Sequence, residues 1–199
     1  MRRTLITVAA TLSIMLTAAL LPVHRVIGED MAPSILPGDL VWVIPGLEVR
    51  TGDVVALRDP LDPGKTILRR ALAISGQTFS YKDGQIRVNK RSLRQRAMGD
   101  MGPHQITQET AWAKAPLKGN QWLTRSIAEP PVYWSASPDP ISENNWFLLA
   151  DDRDRAMDSR WWGSIHSSAI EGVVRLRWGP SHTWRSSFEW MMGVPPIGD

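Results

Sequence analysis

The sequence predicts a mostly β domain with one helix at each end, and three patterns carry that expectation. Short apolar runs are punctuated by glycine, proline and aspartate: L-V-W-V-I at residues 40–44, V-V-A-L at residues 54–57, and an alternating run over residues 165–178. Residues 4–23 contain no charged side chain. Near the carboxyl end the apolar period changes, with Trp184, Phe188, Met191 and Met192 at i, i+4, i+7 and i+8, one face of a helix.

The amino-terminal run follows Arg2 and Arg3 and ends at His24 and Arg25. About 20 residues rising about 1.5 Å each can cross a hydrocarbon core about 30 Å thick. Residues 1–25 are therefore expected to be a single-pass membrane anchor, with the two arginines holding the amino end in the cytoplasm and the rest of the chain outside. The competing reading is a cleaved signal peptide cut near Ala18 or Ala19. The run is long for that, and no clear small-x-small site leads into a polar stretch.

Composition narrows the function. The chain of 199 residues has no cysteine, so disulfides and thiolate metal sites are excluded. His24, His104, His166 and His182 show no ligand spacing, and neither a metal nor a cofactor is expected. The net charge is +3 with basic residues scattered rather than striped, which gives no nucleic-acid signature. Ten tryptophans stand against three phenylalanines and two tyrosines, a bias toward membrane or protein interfaces.

Taken in order, residues 26–93 form the first part of the β core. A lead-in turn with Gly28, Pro33, Pro37 and Gly38 precedes the first strand, and Gly52-Asp53 opens the second. Residues 79–93, with Asp83-Gly84, read as a hairpin, since both central positions of such a turn tolerate positive φ. Residues 94–143 are a variable insert with several prolines, Trp112, Trp122 and Trp134; its weak periodicity fits either an irregular β subdomain or a long loop. Residues 144–179 complete the core. Residues 180–199 carry the amphipathic helix, expected over 181–193, and a tail, with Gly193 and Pro195 as stop signals. That helix, with Trp178, packs on its own domain, lies in a membrane interface, or meets a partner subunit.

The densest chemistry lies at residues 147–163, F-L-L-A-D-D-R-D-R-A-M-D-S-R-W-W-G. Alternating acids and arginines beside an apolar run suit a buried, mutually paired network, because each planar guanidinium can hold a carboxylate through two parallel hydrogen bonds.

This stretch resembles the final signature box of type I signal peptidases, G-D-N-R-D-x-S-x-D-S-R-x-W-G. Asp151, Arg153, Asp154, Asp158, Ser159, Arg160, Trp162 and Gly163 fall on it in register, while Ala150, Asp152 and Ala156 depart from it. The lead-in G-E-D-M-A-P-S-I-L-P-G-D resembles the box S-M-x-P-T-L-x-x-G-D through Met31, Pro33, Leu36, Gly38 and Asp39, with Leu36 shifted by one residue. Residues 52–60 and 66–77 resemble the two segments that follow. The resemblance implies a twisted antiparallel β fold over nearly all the chain outside residues 94–143.

The resemblance also marks two losses. The position of the nucleophilic serine holds Asp30, and that of the general-base lysine holds Arg69. Acyl transfer needs a nucleophile activated by a nearby base. A buried lysine can shed its proton near neutral pH, but a guanidinium cannot. Asp30 and Arg69 are expected within hydrogen-bonding reach as a forked pair; if that pair is buried, replacing Arg69 by Ala should cost about 3–5 kcal/mol. Other routes to hydrolysis find little support. Ser34 reads as a turn or N-cap serine, Ser75 precedes the turn glycine Gly76, Ser159 matches a serine that in the family supports the lysine absent here, and Asp151 and Asp154 look committed to arginines.

The expected function is a signal peptidase-like pseudoenzyme, a non-catalytic binding or structural subunit on the outer side of a bacterial cytoplasmic membrane. An active atypical peptidase with another nucleophile, and a non-cleaving binder of signal peptides, are the alternatives.

Overall fold

A computed structural model describes residues 22–82, 85–111, 121–127, 135–137, 139–179 and 187–190. The chain folds around an antiparallel sheet built from both parts of the expected core. Its strands are β1 (Val23–Arg25), β2 (Leu40–Ile44), β3 (Val54–Arg58), β4 (Thr66–Ile74), β12 (Asn145–Leu149), β13 (Ile165–His166) and β14 (Ile170–Gly179). They run in the order β1-β2-β14-β3-β4-β12-β13, with β15 (Ser187–Trp190) added alongside β14.

Both faces of this sheet are covered, which explains why its strands read as unbroken apolar runs rather than clean alternations. On one side Val41, Val43, Val54, Ala56 and Val174 pack with Met31 and Ile35 from the lead-in turn. On the other, Val55, Leu57, Ile67, Ala71, Leu148 and Val173 pack with Trp146, and Trp162 lies against them. The alternation expected across residues 165–178 is broken by register shifts at Ile170/Gly172 and Val174/Leu176. Gly172 is required there: a Cβ would sit 2.7 Å from the Ile44 carbonyl oxygen of the adjacent strand.

The second sheet joins β5 (Phe79–Lys82), β6 (Gln85–Val88), β7 (Arg91–Ser92) and β11 (Ser135–Ser137) in the order β11-β5-β6-β7, and it contains the expected hairpin. Strands β5 (Phe79–Lys82) and β6 (Gln85–Val88) pair across the two-residue Asp83-Gly84 connection, which lies outside the described residues. Strand β7 (Arg91–Ser92) follows a turn in which Asn89 and Lys90 both have positive φ, 50° and 65°. Phe79 stacks on Phe147 with ring centroids 3.9 Å apart, joining this sheet to the main one.

Most of the described residues of the insert are in β-strands. Strands β8 (Arg94–Met101), β9 (His104–Thr110) and β10 (Gln121–Ile127) form a three-stranded antiparallel sheet, and β11 (Ser135–Ser137) joins the hairpin sheet. Trp122 is buried in the same cluster as Leu72, Phe79, Tyr81 and Leu149.

Two terminal expectations are corrected. Val23–Arg25 is a strand paired with β2, so an anchor cannot extend through residue 25 as expected. The run over residues 4–21 lies outside the described residues, and among those described no helix is long and apolar enough to cross a membrane. The carboxyl-terminal helix does not pass through residues 187–190. That segment is a strand, with Phe188 opposite Trp178 and Trp190 opposite Leu176. Pairing with the free stretch of β14 supplies backbone hydrogen bonds that local helical periodicity does not reveal. Trp184, Met191 and Met192 lie outside the described residues.

Candidate functional site: an aspartate–arginine contact beside a charged box

Three chain segments converge on the site: the lead-in turn, strand β4 and the box after β12. Their backbones are joined directly. The Asp152 N–H donates to the Asp30 carbonyl at 2.9 Å, the Arg125 N–H to the Asp151 carbonyl at 3.0 Å, and the Arg153 N–H to the Arg125 carbonyl at 3.0 Å. The lead-in residue, the box and insert strand β10 thus form one backbone-bonded unit.

The structure brings the two dyad positions together. Arg69 Nη2 lies 3.0 Å from Asp30 Oδ2. The contact is single, however, and not the forked pair expected from the sequence. Arg69 directs Nε and Nη2 to the Met157 carbonyl oxygen at 3.1 and 2.7 Å, and Nη1 to the Leu68 carbonyl oxygen at 2.6 Å. Its guanidinium stands 5.6 Å from the Trp162 ring centroid, in cation–π range. The arginine side chain is 4% exposed but the aspartate 44%, so the couple sits half in solvent.

A guanidinium bonded to carbonyls has no lone pair with which to accept a proton. Ser34, the nearest hydroxyl in the lead-in turn, donates to the Leu123 carbonyl oxygen at 2.9 Å and accepts from Arg70 Nη2 at 3.3 Å. Ser159 Oγ accepts the Leu148 N–H at 3.0 Å. Both hydroxyls are engaged in holding backbone and arginine.

The box is a charged network, but most of its members pair outside it. Asp151, fully buried, takes Arg70 through Nε at 2.7 Å and Nη2, and Arg70 also donates to the Gly52 carbonyl oxygen at 2.7 Å. Arg70 stands 5.1 Å from the centroid of the Trp122 ring. Asp152 takes Arg125 at 2.9 and 2.6 Å, and Arg153 reaches Glu109. Only Asp158 and Arg160 pair within the box, at 2.9 and 2.8 Å. Asp158 also caps the short helix α1 (Ser159–Trp162) and accepts the Ala150 N–H at 3.1 Å.

Asp154 departs from expectation. It accepts the Ile127 N–H rather than an arginine. Burial pushes its carboxyl above the ordinary aspartate value, and that backbone bond pulls only partly the other way. Glu29 has the opposite shift: its hydrogen bond to Arg125, and then that residue's charge, lower its pKa.

The partners missed in sequence, Arg125, Glu109 and Trp122, all come from the insert. Trp122 Nε1 donates to Glu109 Oε2 at 2.8 Å, so one buried carboxylate holds both an indole and Arg153. One signal was available. Asp152 stands where the signature has an uncharged asparagine, and an added carboxylate 1% exposed requires a cation from elsewhere. Among the interface residues singled out, Trp178 is half-buried in β14 between Leu40 and Phe188.

The chain is similar in sequence to several known proteins. Signal peptidase I of Streptococcus pneumoniae (strain ATCC BAA-255 / R6) is 24% identical over 166 residues, covering 78% of this chain and 81% of that protein. The inactive signal peptidase IA of Staphylococcus aureus (strain COL) is 25% identical over 170 residues, covering 83% of each. Mitochondrial inner membrane protease subunit 2 of Danio rerio is 28% identical over 163 residues, covering 73% of this chain and 87% of that one. A signal peptidase I crystal structure from Enterococcus faecalis is 18% identical with a TM-score of 0.42, over 64% of this chain and 97% of that one. The signal peptidase, peptidase S26, family matches residues 2–179, and this chain belongs to it.

Proposed function

We infer that this chain is a non-catalytic member of its family, a pseudoenzyme serving as a binding or structural subunit of a membrane-associated assembly on the extracytoplasmic side. One observation carries the reading: Arg69 and Asp30, at the base and nucleophile positions, meet each other at 3.0 Å, and Arg69 spends its remaining donors on the Met157 and Leu68 carbonyls. No group at the site combines a free nucleophile with a base able to accept its proton. The staphylococcal relative named as inactive supports loss of catalysis within the family, and the mitochondrial relative named as a subunit supports a place in an assembly. The uncharged run over residues 4–21 supports a membrane anchor.

The test is cleavage of a preprotein substrate by detergent-purified full-length chain, beside the double variant Asp30→Ser, Arg69→Lys and an Asp30→Ala control. The natural protein is expected to be silent and the double variant to cut. Cleavage by the natural protein that Asp30→Ala abolishes would assign Asp30 a catalytic role and overturn the reading.

A further inference from the structure

We propose that Glu29, Arg125 and Asp152 form a salt-sensitive latch through which the insert sheet holds the segment that presents residue 30. Arg125 Nη2 bridges two carboxylates, at 2.6 Å to Asp152 Oδ2 and 2.8 Å to Glu29 Oε2. Asp152 in turn donates its backbone N–H to the Asp30 carbonyl. The same two residues therefore grip position 29 by a side chain and position 30 by the backbone.

The two halves of the latch differ in environment. Arg125 and Asp152 are 9% and 1% exposed, and the Asp152 half is tied down on both sides by the backbone bonds of Arg125 to residues 151 and 153. Glu29 is 61% exposed, so its bond to Arg125 is screened by water and by salt. The segment it holds has little else to fix it. Val26 is bonded to Asp39 and Gly38, and the next backbone bond is from Ala32 to the Glu29 carbonyl. Among the described residues, Ile27 and Gly28 make no backbone hydrogen bond, and Ile27 is 88% exposed. The insert stays docked while residues 27–29 are released or held according to the state of a single exposed ion pair.

This device does not depend on the presence or absence of catalysis, and its test needs no activity assay. Amide hydrogen exchange of the full chain reads it at Ala32 and Asp152, with Val55 and Leu148 as core controls. In the natural protein, raising NaCl from low to high ionic strength should speed exchange at Ala32 by about two- to five-fold, the range of an exposed ion pair. Glu29→Gln should produce the same increase at low salt and abolish the salt dependence, with the core controls unchanged. Arg125→Gln should loosen both Ala32 and Asp152. Because Glu29 is exposed, its variant folds even where the buried Arg125 variant does not. Exchange at Ala32 that is indifferent to both salt and Glu29→Gln would overturn the latch.

Discussion

Arg69 and Arg70 are neighbours on one strand, alike in chemistry and burial, and they hold opposite kinds of partner. Arg70 meets a carboxylate that is 0% exposed through two bonds, adds the Gly52 carbonyl and the Ser34 hydroxyl, and faces Trp122. Arg69 meets a carboxylate that is 44% exposed through one contact and leans on backbone carbonyls instead. Burial of the arginine alone therefore says little about the worth of its ion pair. What decides is whether removing the partner leaves a buried charge without compensation. Arg70 sits on a residue of the family signature and joins three segments into the scaffold. Arg69 is held mainly by the Met157 and Leu68 carbonyls.

The contrast can be broken or sharpened by mutation. The largest effect should come from Asp151→Ala, which leaves the Arg70 guanidinium buried and unneutralised, at a cost of about 3–5 kcal/mol in urea unfolding. Arg69→Ala comes next, at about 1.5–3 kcal/mol, since it removes bonds from a charged donor to the Met157 and Leu68 carbonyls while Asp30 can rehydrate. That is below the figure expected for a wholly buried pair. Asp30→Ala should cost less than about 1 kcal/mol, because Arg69 keeps its carbonyls and the lost partner was half in water. Equal losses for Asp151→Ala and Asp30→Ala in the same unfolding series would erase the distinction between the two pairs.

The smallest effect concerns pH. Glu29 has a folded pKa below its unfolded value, so its contribution is present above the ordinary glutamate range and is lost as pH falls through the lowered value. Asp154 has a raised folded pKa, so its ionised form opposes folding, and that penalty fades as pH falls through the raised value. Glu29→Gln should flatten the acid loss of stability slightly and Asp154→Asn should steepen it. Shifts of the same sign in thermal midpoints measured across acidic pH would contradict this assignment.

Much of the core was legible because its signals are local. The apolar runs at residues 40–44 and 54–57, the Asp83-Gly84 connection and the signature around Asp151 each specify their surroundings within a few residues. The meeting of Asp30 with Arg69 could be expected once both were placed on the family pattern. The insert was not legible as structure. Its strands are polar outside, and the side chains that matter in it, Glu109, Trp122 and Arg125, are single residues without periodicity, whose partners lie 13 to 96 positions away. The helix expected near the carboxyl end failed at residues 187–190 for a related reason. A helical period describes one segment alone, whereas a strand exists only when a neighbour such as β14 offers an unpaired edge.

Family membership and the mostly β character could be read from the chain alone, because signature spacing and short-range apolar pattern carry that information. Which charge neutralises which was set by the folded arrangement of the strands. Asp151 went to Arg70, Asp152 to Arg125, Arg153 to Glu109, and Asp154 to a backbone N–H. Buried charges are satisfied by whatever chain passes within about 3 Å, and proximity in a folded sheet is not a property of neighbours in sequence.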